Sequence, residues 1–404
     1  MNKQDLYDKA FVCLNMLCGD IRERCVGSEG NRAATAFFKT ELTALGWATE
    51  TPEFSAIDWI DGGATLRAGD QDFNVFVSPY SLGCSESATL AVAANLAELE
   101  QCDYRDKILL LYGDIAKEQL MPKNFVFYNP EEHQQIISLL ESRRIKAIIC
   151  ATGRNAALAG GAYPFPLIED GDFDIPSVYM TEEDGQRLLA FIGKDVNLHS
   201  LSQRVPGTGC NVIGKKGMEG ADRIVVTAHI DAKKGTPGAI DNATGVTVLL
   251  ILADLLRDYS GPRQIELVAL NGEDYFAVPG QMNYVMANQG KFENILLNIN
   301  IDGAAYKEGK SAFSFYDLPD PVRALALETL IKFPGITEGL QWPQGDHSIF
   351  IQYGRPAIAA SSEWFTDNIN NQDITHTPKD NLEIVDYFRI IEIAEALNDL
   401  IRKL

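Results

Sequence analysis

The chain has 404 residues, 46% of them hydrophobic, with 35 Lys and Arg against 56 Asp and Glu for a formal net charge of −21. That length exceeds what one hydrophobic core commonly sustains, so two structural units are predicted, and the charge would repel phosphate backbones and lipid headgroups, which argues against nucleic acid and membrane partners. Residues 1–10 lack the basic start and apolar run of a secretory signal, no segment approaches the roughly 18 apolar residues of a membrane span, and the seven cysteines show neither CxxC pairs nor a disulfide rhythm, so a cytoplasmic setting is expected.

An amphipathic helix opens the chain, and a second is predicted over 31–45, stopped by Gly46. Residues 47–54 alternate like a strand. From about 57 to 205 the pattern turns to short strands, among them 107–112 and 146–150, with one helix carrying Ile136, Ile137, Leu139 and Leu140 at helical spacing. This stretch holds no catalytic cluster and reads as a β-rich α/β module inserted into the main domain. The predicted boundaries are therefore 1–56 with 206–404 for the main domain and 57–205 for the insert. Gly207-Thr-Gly209 lacks the third glycine and the helix of a dinucleotide loop, and reads as a linker.

Beyond it the rhythm is strand, loop, helix. Strands are expected at 223–228, 264–270, 295–301 and 356–360, and helices at 242–259, 321–333 and 385–403. The fold class is α/β, a mixed, mostly parallel sheet flanked by helices. Ligands of such sheets bind past the carboxyl ends of the strands.

That edge is where the chemistry-bearing residues fall: His229-Ile-Asp231, Gly238-Ala-Ile-Asp241-Asn242, Asn271-Gly-Glu273-Asp274, Asn300-Ile-Asp302-Gly303 and Thr375-His376-Thr377-Pro378. Imidazole nitrogen and carboxylate oxygen are the donors that zinc-type ions prefer. Two ions a few Å apart need a shared carboxylate, and Asp241, between a Gly-rich loop and a helix start, is the candidate bridge. His229 and Asp302 would complete one ion's ligands, Asp274 and His376 the other's. Asp231, two residues past His229 on extended chain, faces the same side and is expected to orient the imidazole as part of the catalytic apparatus. Glu273 is left free to act as general base and then acid.

In order and spacing these motifs resemble the M28 family of co-catalytic zinc aminopeptidases and carboxypeptidases: H-x-D, G-A-x-D-N-x-x-G, N-G-E-[ED], N-x-D and a late H-T-P-x-D. The stretch Gly345-Asp346-His347-Ser-Ile-Phe350 with Gly354-Arg-Pro356-Ala357 is similar to the family's S-D-H-x-x-F…G-x-P-A. The resemblance implies a zinc exopeptidase fold, two Zn²⁺ on His229, Asp241, Asp274, Asp302 and His376, Glu273 as the base, and a non-proline cis peptide at Asp241-Asn242. Where the family commonly has a second Glu, this chain has Asp274, one methylene shorter. Residues 57–205 are similar to a protease-associated domain. The activity implied is an aminopeptidase acting on short peptides. The alternatives are a carboxypeptidase or dipeptidase of the same fold and a glutaminyl cyclase-like single-zinc acyltransferase. Homo-oligomerisation is left open.

Other features carry blander expectations. His347 is expected to line or support the site, and His133 and His199 to be solvated. Asp170-Gly-Asp172-Phe-Asp174 starts like a calcium loop but lacks the closing Glu and reads as a solvated turn. Arg355 is the nearby cation that would favour a substrate carboxylate, with an orientation that spacing does not define. Neither G-x-S-x-G nor H-E-x-x-H occurs.

Overall fold

Residues 223–229, 264–270 and 295–301 are nearly unbroken apolar runs, the pattern of strands covered on both faces. In the computed structural model, which describes residues 2–21, 23–154 and 157–404, they form the strands Arg223–His229, Gln264–Leu270 and Ile295–Ile301. They lie at the middle of an eight-stranded sheet. Its order is Ala48–Glu50, Val212–Gly217, Gln264–Leu270, Arg223–His229, Ile295–Ile301, Ala357–Ser362, Ser311–Tyr316 and Ile336–Glu338. The four strands from Gln264–Leu270 to Ala357–Ser362 are parallel, while Val212–Gly217 and Ser311–Tyr316 join antiparallel on either side. The sheet is mixed and flanked by helices, as expected. Its register opposes His229 to Leu270 and Thr227 to Asn300, so the three central strands end at one level.

The helix Thr244–Leu255 is buried from Thr244 to Ala253. A helix apolar all round needs cover all round; Tyr387–Lys403, Lys3–Asn15 and Glu29–Ala44 pack on it, within a core that includes Leu14, Phe38, Leu249, Leu297 and Leu397. This helix starts at Thr244 rather than 242, because residues 239–243 form a wide turn in which Asp241 and Asn242 leave helical angles. Ser28 caps the helix Glu29–Ala44 by accepting from the Asn31 amide, and Gly46, at φ 74°, follows its end.

By contact density the chain divides into Met1–Ala56 with Thr208–Leu404, and Ile57–Gly207. The second unit is built on a sheet ordered Gln71–Phe73, Ala64–Ala68, Asp195–Ser200, Cys84–Ala93, Ile108–Leu111, Ala147–Thr152, Ser177–Thr181, Phe76–Val77. Its strands Ile108–Leu111 and Ala147–Thr152 are wholly buried between two apolar clusters, one including Leu109, Ile137 and Phe165, the other Leu110, Ile149 and Val196.

Several expectations need correction. The strand expected at 47–54 is two, Ala48–Glu50 and Glu53–Ile60, interrupted at Thr51-Pro52, where proline has no amide to give a ladder. Gly207–Gly209 is not a loose linker but part of the strand Gln203–Cys210, paired with Glu53–Ile60. His133 is buried, its Nδ1 accepting from the Met121 amide at 3.1 Å. Asp170 is also buried and takes the Lys123 and Asp172 amides, so the turn it begins is internally bonded. Among the described residues no helix is long and apolar enough to cross a membrane.

Candidate metal centre

His229 closes its strand, Glu273 and Asp274 follow the end of Gln264–Leu270, and Asp302 follows Ile301. The wide turn 239–243 brings in Asp241, and the loop ahead of residue 382 brings in His376, itself at φ 62°. His229 Nε2 lies 3.1 Å from Asp241 Oδ1 and 3.5 Å from Asp302 Oδ1. His376 Nε2 lies 3.3 Å from Asp241 Oδ2 and 3.1 Å from Asp274 Oδ1. The two oxygens of one carboxylate therefore face two different imidazoles, each backed by one further aspartate. The peptide Asp241–Asn242 is cis.

Asp231 lies beside His229 but spends its carboxylate elsewhere. Its Oδ1 lies 3.7 Å from His229 Nδ1, too long for a hydrogen bond. The carboxylate instead accepts the amides of Gly272 (2.7 Å), Glu273 (3.3 Å) and Asp274 (3.0 Å). It thus holds the turn that presents Glu273 and Asp274. Lys233 Nζ donates to the Asp274 carbonyl at 2.8 Å. Beneath the turn, Asn31 and Asn271 exchange side-chain amide bonds of 2.8 and 3.0 Å, and Asn211 accepts the Asn271 amide.

Residues 211–401 match the family described as Peptidase family M28. That match spans 191 of the 404 residues, a little under half of the chain. The chain is 21% identical over 403 residues to aminopeptidase YwaD of Bacillus subtilis (strain 168), covering 96% of this chain and 82% of that protein. It is 23% identical over 362 residues to a probable leucine aminopeptidase 2 of Aspergillus oryzae, covering 88% of this chain and 64% of that protein. Among solved structures, an aminopeptidase from Aneurinibacillus sp. strain AM-1 superposes with a TM-score of 0.76 at 18% identity, covering 98% of this chain and 93% of that one. BSAP, a zinc aminopeptidase from Bacillus subtilis, superposes at 0.74 and 19% identity, covering 98% and 94%. At such identities the superpositions establish the fold.

The donor set fits divalent cations. His229, Asp241 and Asp274 each offer a ligand atom within 4.8 Å of the others. Both ring nitrogens of His229 and Oδ2 of Asp274 are buried without an aligned hydrogen bond among the described residues, a costly state for polar atoms that a cation relieves. Burial, with Asp274 and Asp302 close by, drives Glu273 well above the usual carboxylate range against the pull of His229. Burial likewise raises Asp302, and Asp241 and Asp274 add to it while His229 opposes. Burial works against a charged Asp241, yet the two imidazoles outweigh it and hold that carboxyl far below its usual range. Burial also disfavours charge on His229 and His376, but the facing aspartates raise both. Carboxylates packed this closely need more positive charge than two imidazoles supply.

His347 is fully buried between the rings of Tyr316 and Trp342, 4.7 and 4.6 Å away, with Nε2 3.1 Å from the Trp342 carbonyl. Burial lowers its pKa to about 4, so it is a neutral ring packed between aromatic neighbours. Beside it Asp346 accepts from Gln281 at 2.5 Å; burial pushes its carboxyl up to about 7. Arg355 donates to the Glu293 carbonyl. Sequence reasoning assigned no role to Asp346, Asn31, Asn271 or Asp380; only the presence of Asn271, Asp346 and Asp380 in the family motifs signalled three of them.

Proposed function

We propose that the protein is an aminopeptidase that removes residues from short peptides, with two divalent cations, zinc by preference, held by His229 and Asp302, by Asp274 and His376, and by Asp241 between them. The observation that carries this reading is the placement of Asp241, whose two oxygens face two imidazoles 3.1 and 3.3 Å away. A single-zinc cyclase has no use for the second half of that arrangement. Bound there, the cations would polarise the scissile carbonyl and acidify water.

Glu273 does the proton work. Its raised pKa suits it to take a proton from the attacking water and hand it to the departing amine nitrogen. Asp231 holds Glu273 and Asp274 in register through their amides. The surrounding acids, Glu273, Asp302 and Asp346 among them, favour a substrate's free amine over a free carboxylate, and the relatives named aminopeptidase support the same choice. Residues 57–205 are read as a protease-associated-like domain, and a cytoplasmic setting fits the cysteines, six of which, Cys13, Cys18, Cys84, Cys102, Cys150 and Cys210, form no disulfide.

Plasma-emission metal counting should find two ions per chain, and free aminoacyl substrates should be cleaved while N-blocked ones are not. Glu273→Gln should keep its metal and lose roughly 10²- to 10⁴-fold in kcat. One tightly held ion, or turnover unaffected by that substitution, overturns the reading.

A further inference from the structure

Two buried side chains that face no cation grip the loop bearing Asp241 from opposite sides. Arg24, 2% exposed, donates from Nε to the Ile230 carbonyl (3.0 Å), from Nη1 to those of Leu17 and Pro237 (2.6 and 2.8 Å), and from Nη2 to that of Gly238 (2.8 Å). Asp380, fully buried, accepts the Ile240 amide on one oxygen (2.7 Å) and the Asp241 amide on the other (3.1 Å). Its own carbonyl accepts from the Ala239 amide at 3.3 Å.

The loop depends on these partners. Gly238 is left-handed at φ 59°, ψ 52°, where a Cβ would meet the Arg24 Nη2 at 2.8 Å, and Asp241 and Asn242 lie off the helical angles. A stretch with such a backbone satisfies few of its own amides and carbonyls, and buried ones must find partners elsewhere. Two amides aimed at two oxygens demand a carboxylate, since an asparagine would turn its NH₂ toward one of them. Carbonyls converging from three segments suit the rigid fork of a guanidinium.

We infer that Arg24 and Asp380 form a clamp whose role is to preset Asp241, and with it the spacing of the metal-facing groups, before any cation arrives. Both are positioning residues. The clamp also reaches two neighbouring motifs. Ile230, held by Arg24, stands between His229 and Asp231, and Asp380 stands four residues after His376 in the same loop. Thr236 completes the tie by donating to the Thr377 carbonyl at 2.9 Å and accepting the Gly238 amide at 3.1 Å. A carboxylate buried beside a metal-facing carboxylate is an arrangement that stability alone disfavours. A site that must hold its bridging aspartate in place without metal gives it a purpose.

The inference rests on the metallopeptidase reading, and the test separates the two. Cobalt(II) alone is titrated into metal-stripped full-length protein while the visible absorption of the bound ion is followed, and thermal unfolding of the metal-free protein is measured in parallel. Asp380→Asn and Arg24→Lys should each bind cobalt at least tenfold more weakly, with an altered absorption spectrum and a fall in kcat larger than any change in KM. Glu266→Gln, which disrupts the buried pair with Arg223, is the control: it should lower the unfolding temperature and leave cobalt affinity and spectrum as in the wild type. If either clamp variant fails to fold, Thr236→Val loosens the same loop more mildly and should shift affinity in the same direction. Wild-type affinity and spectrum in the clamp variants, whatever their unfolding temperatures, overturn the clamp alone. A wild type that binds no cobalt overturns the metallopeptidase reading and the clamp together.

Discussion

A single carboxylate can serve metal chemistry without touching metal. Asp231 takes three consecutive amides, those of Gly272, Glu273 and Asp274, so it sets where Glu273 and Asp274, the proposed base and ligand, stand. An isosteric Asp231→Asn variant keeps the shape, but its NH₂ must confront at least one of those amides. We expect metal affinity to fall by roughly 10- to 100-fold, the scale typical of residues that orient ligands, with kcat falling as Glu273 shifts. Calorimetric zinc titration and steady-state kinetics on one preparation would check both. His347 gives a separate residue-scale outcome. With a folded pKa of about 4 against about 6.5 when unfolded, it binds protons more readily in the unfolded chain, so its contribution is complete above pH 6.5 and lost as pH falls toward 4. His347→Gln should remove this gain with rising pH, so that stability falls more steeply from pH 4 to 6.5 than in the wild type, as read by urea midpoints.

Among the elements, the decisive junction is where the helix Thr244–Leu255 meets the end of the strand Ile295–Ile301. Asn242 Nδ2 donates to the Ile301 carbonyl at 2.8 Å, and Gly245 donates back to Asn242 Oδ1 at 3.1 Å. A Cβ on Gly245 would sit 2.3 Å from Asn242 Oδ1 and 2.6 Å from the Ile301 carbonyl oxygen. Alanine gains about 1 kcal/mol of helix propensity over glycine, but a main-chain oxygen cannot give way, and overpacking of this kind costs about 1–3 kcal/mol. Gly245→Ala should therefore be destabilising on balance in urea unfolding. It should also weaken zinc binding, because Asp241 precedes the displaced Asn242.

At the scale of the molecule, the proposed metal site sets cations against protons. Burial first, and then the Asp241 charge, pushes Asp380 up to about 7, and burial pushes Asp346 to a similar value; Glu273, His229 and His376 are raised as well. Groups raised on folding bind more protons in the folded state, so they stabilise at low pH and lose that stabilisation as pH rises through their folded pKa. Above pH 6.5 His347 is neutral in both states and no longer offsets them. Chelator-stripped protein should therefore lose stability from pH 6.5 to 8, and the gap in unfolding temperature between zinc-loaded and stripped protein should widen over that range. Differential scanning fluorimetry at matched ionic strength would measure it, and a constant or narrowing gap would refute it.

The central strands and the ligand types could be read directly from the chain. Doubly covered strands leave unbroken apolar runs, which is why Gln264–Leu270 and Ile295–Ile301 have the bounds expected of them, and metal donors are recognisable by element and spacing. The strand Val212–Gly217 was not legible: Gly214, Lys215 and Lys216 look like a loop, and Gly214 is placed there because Leu42 fills the space a Cβ would need. Nor were Arg24 and Asn31, whose partners lie as many as 240 residues away. Local pattern records what a residue's own strand or helix requires. Hydrogen bonds to a distant main chain leave no periodicity, so the sequence alone determined the sheet's centre and the donor types gathered at its strand ends, and only the tertiary structure decided how those carboxylates are held.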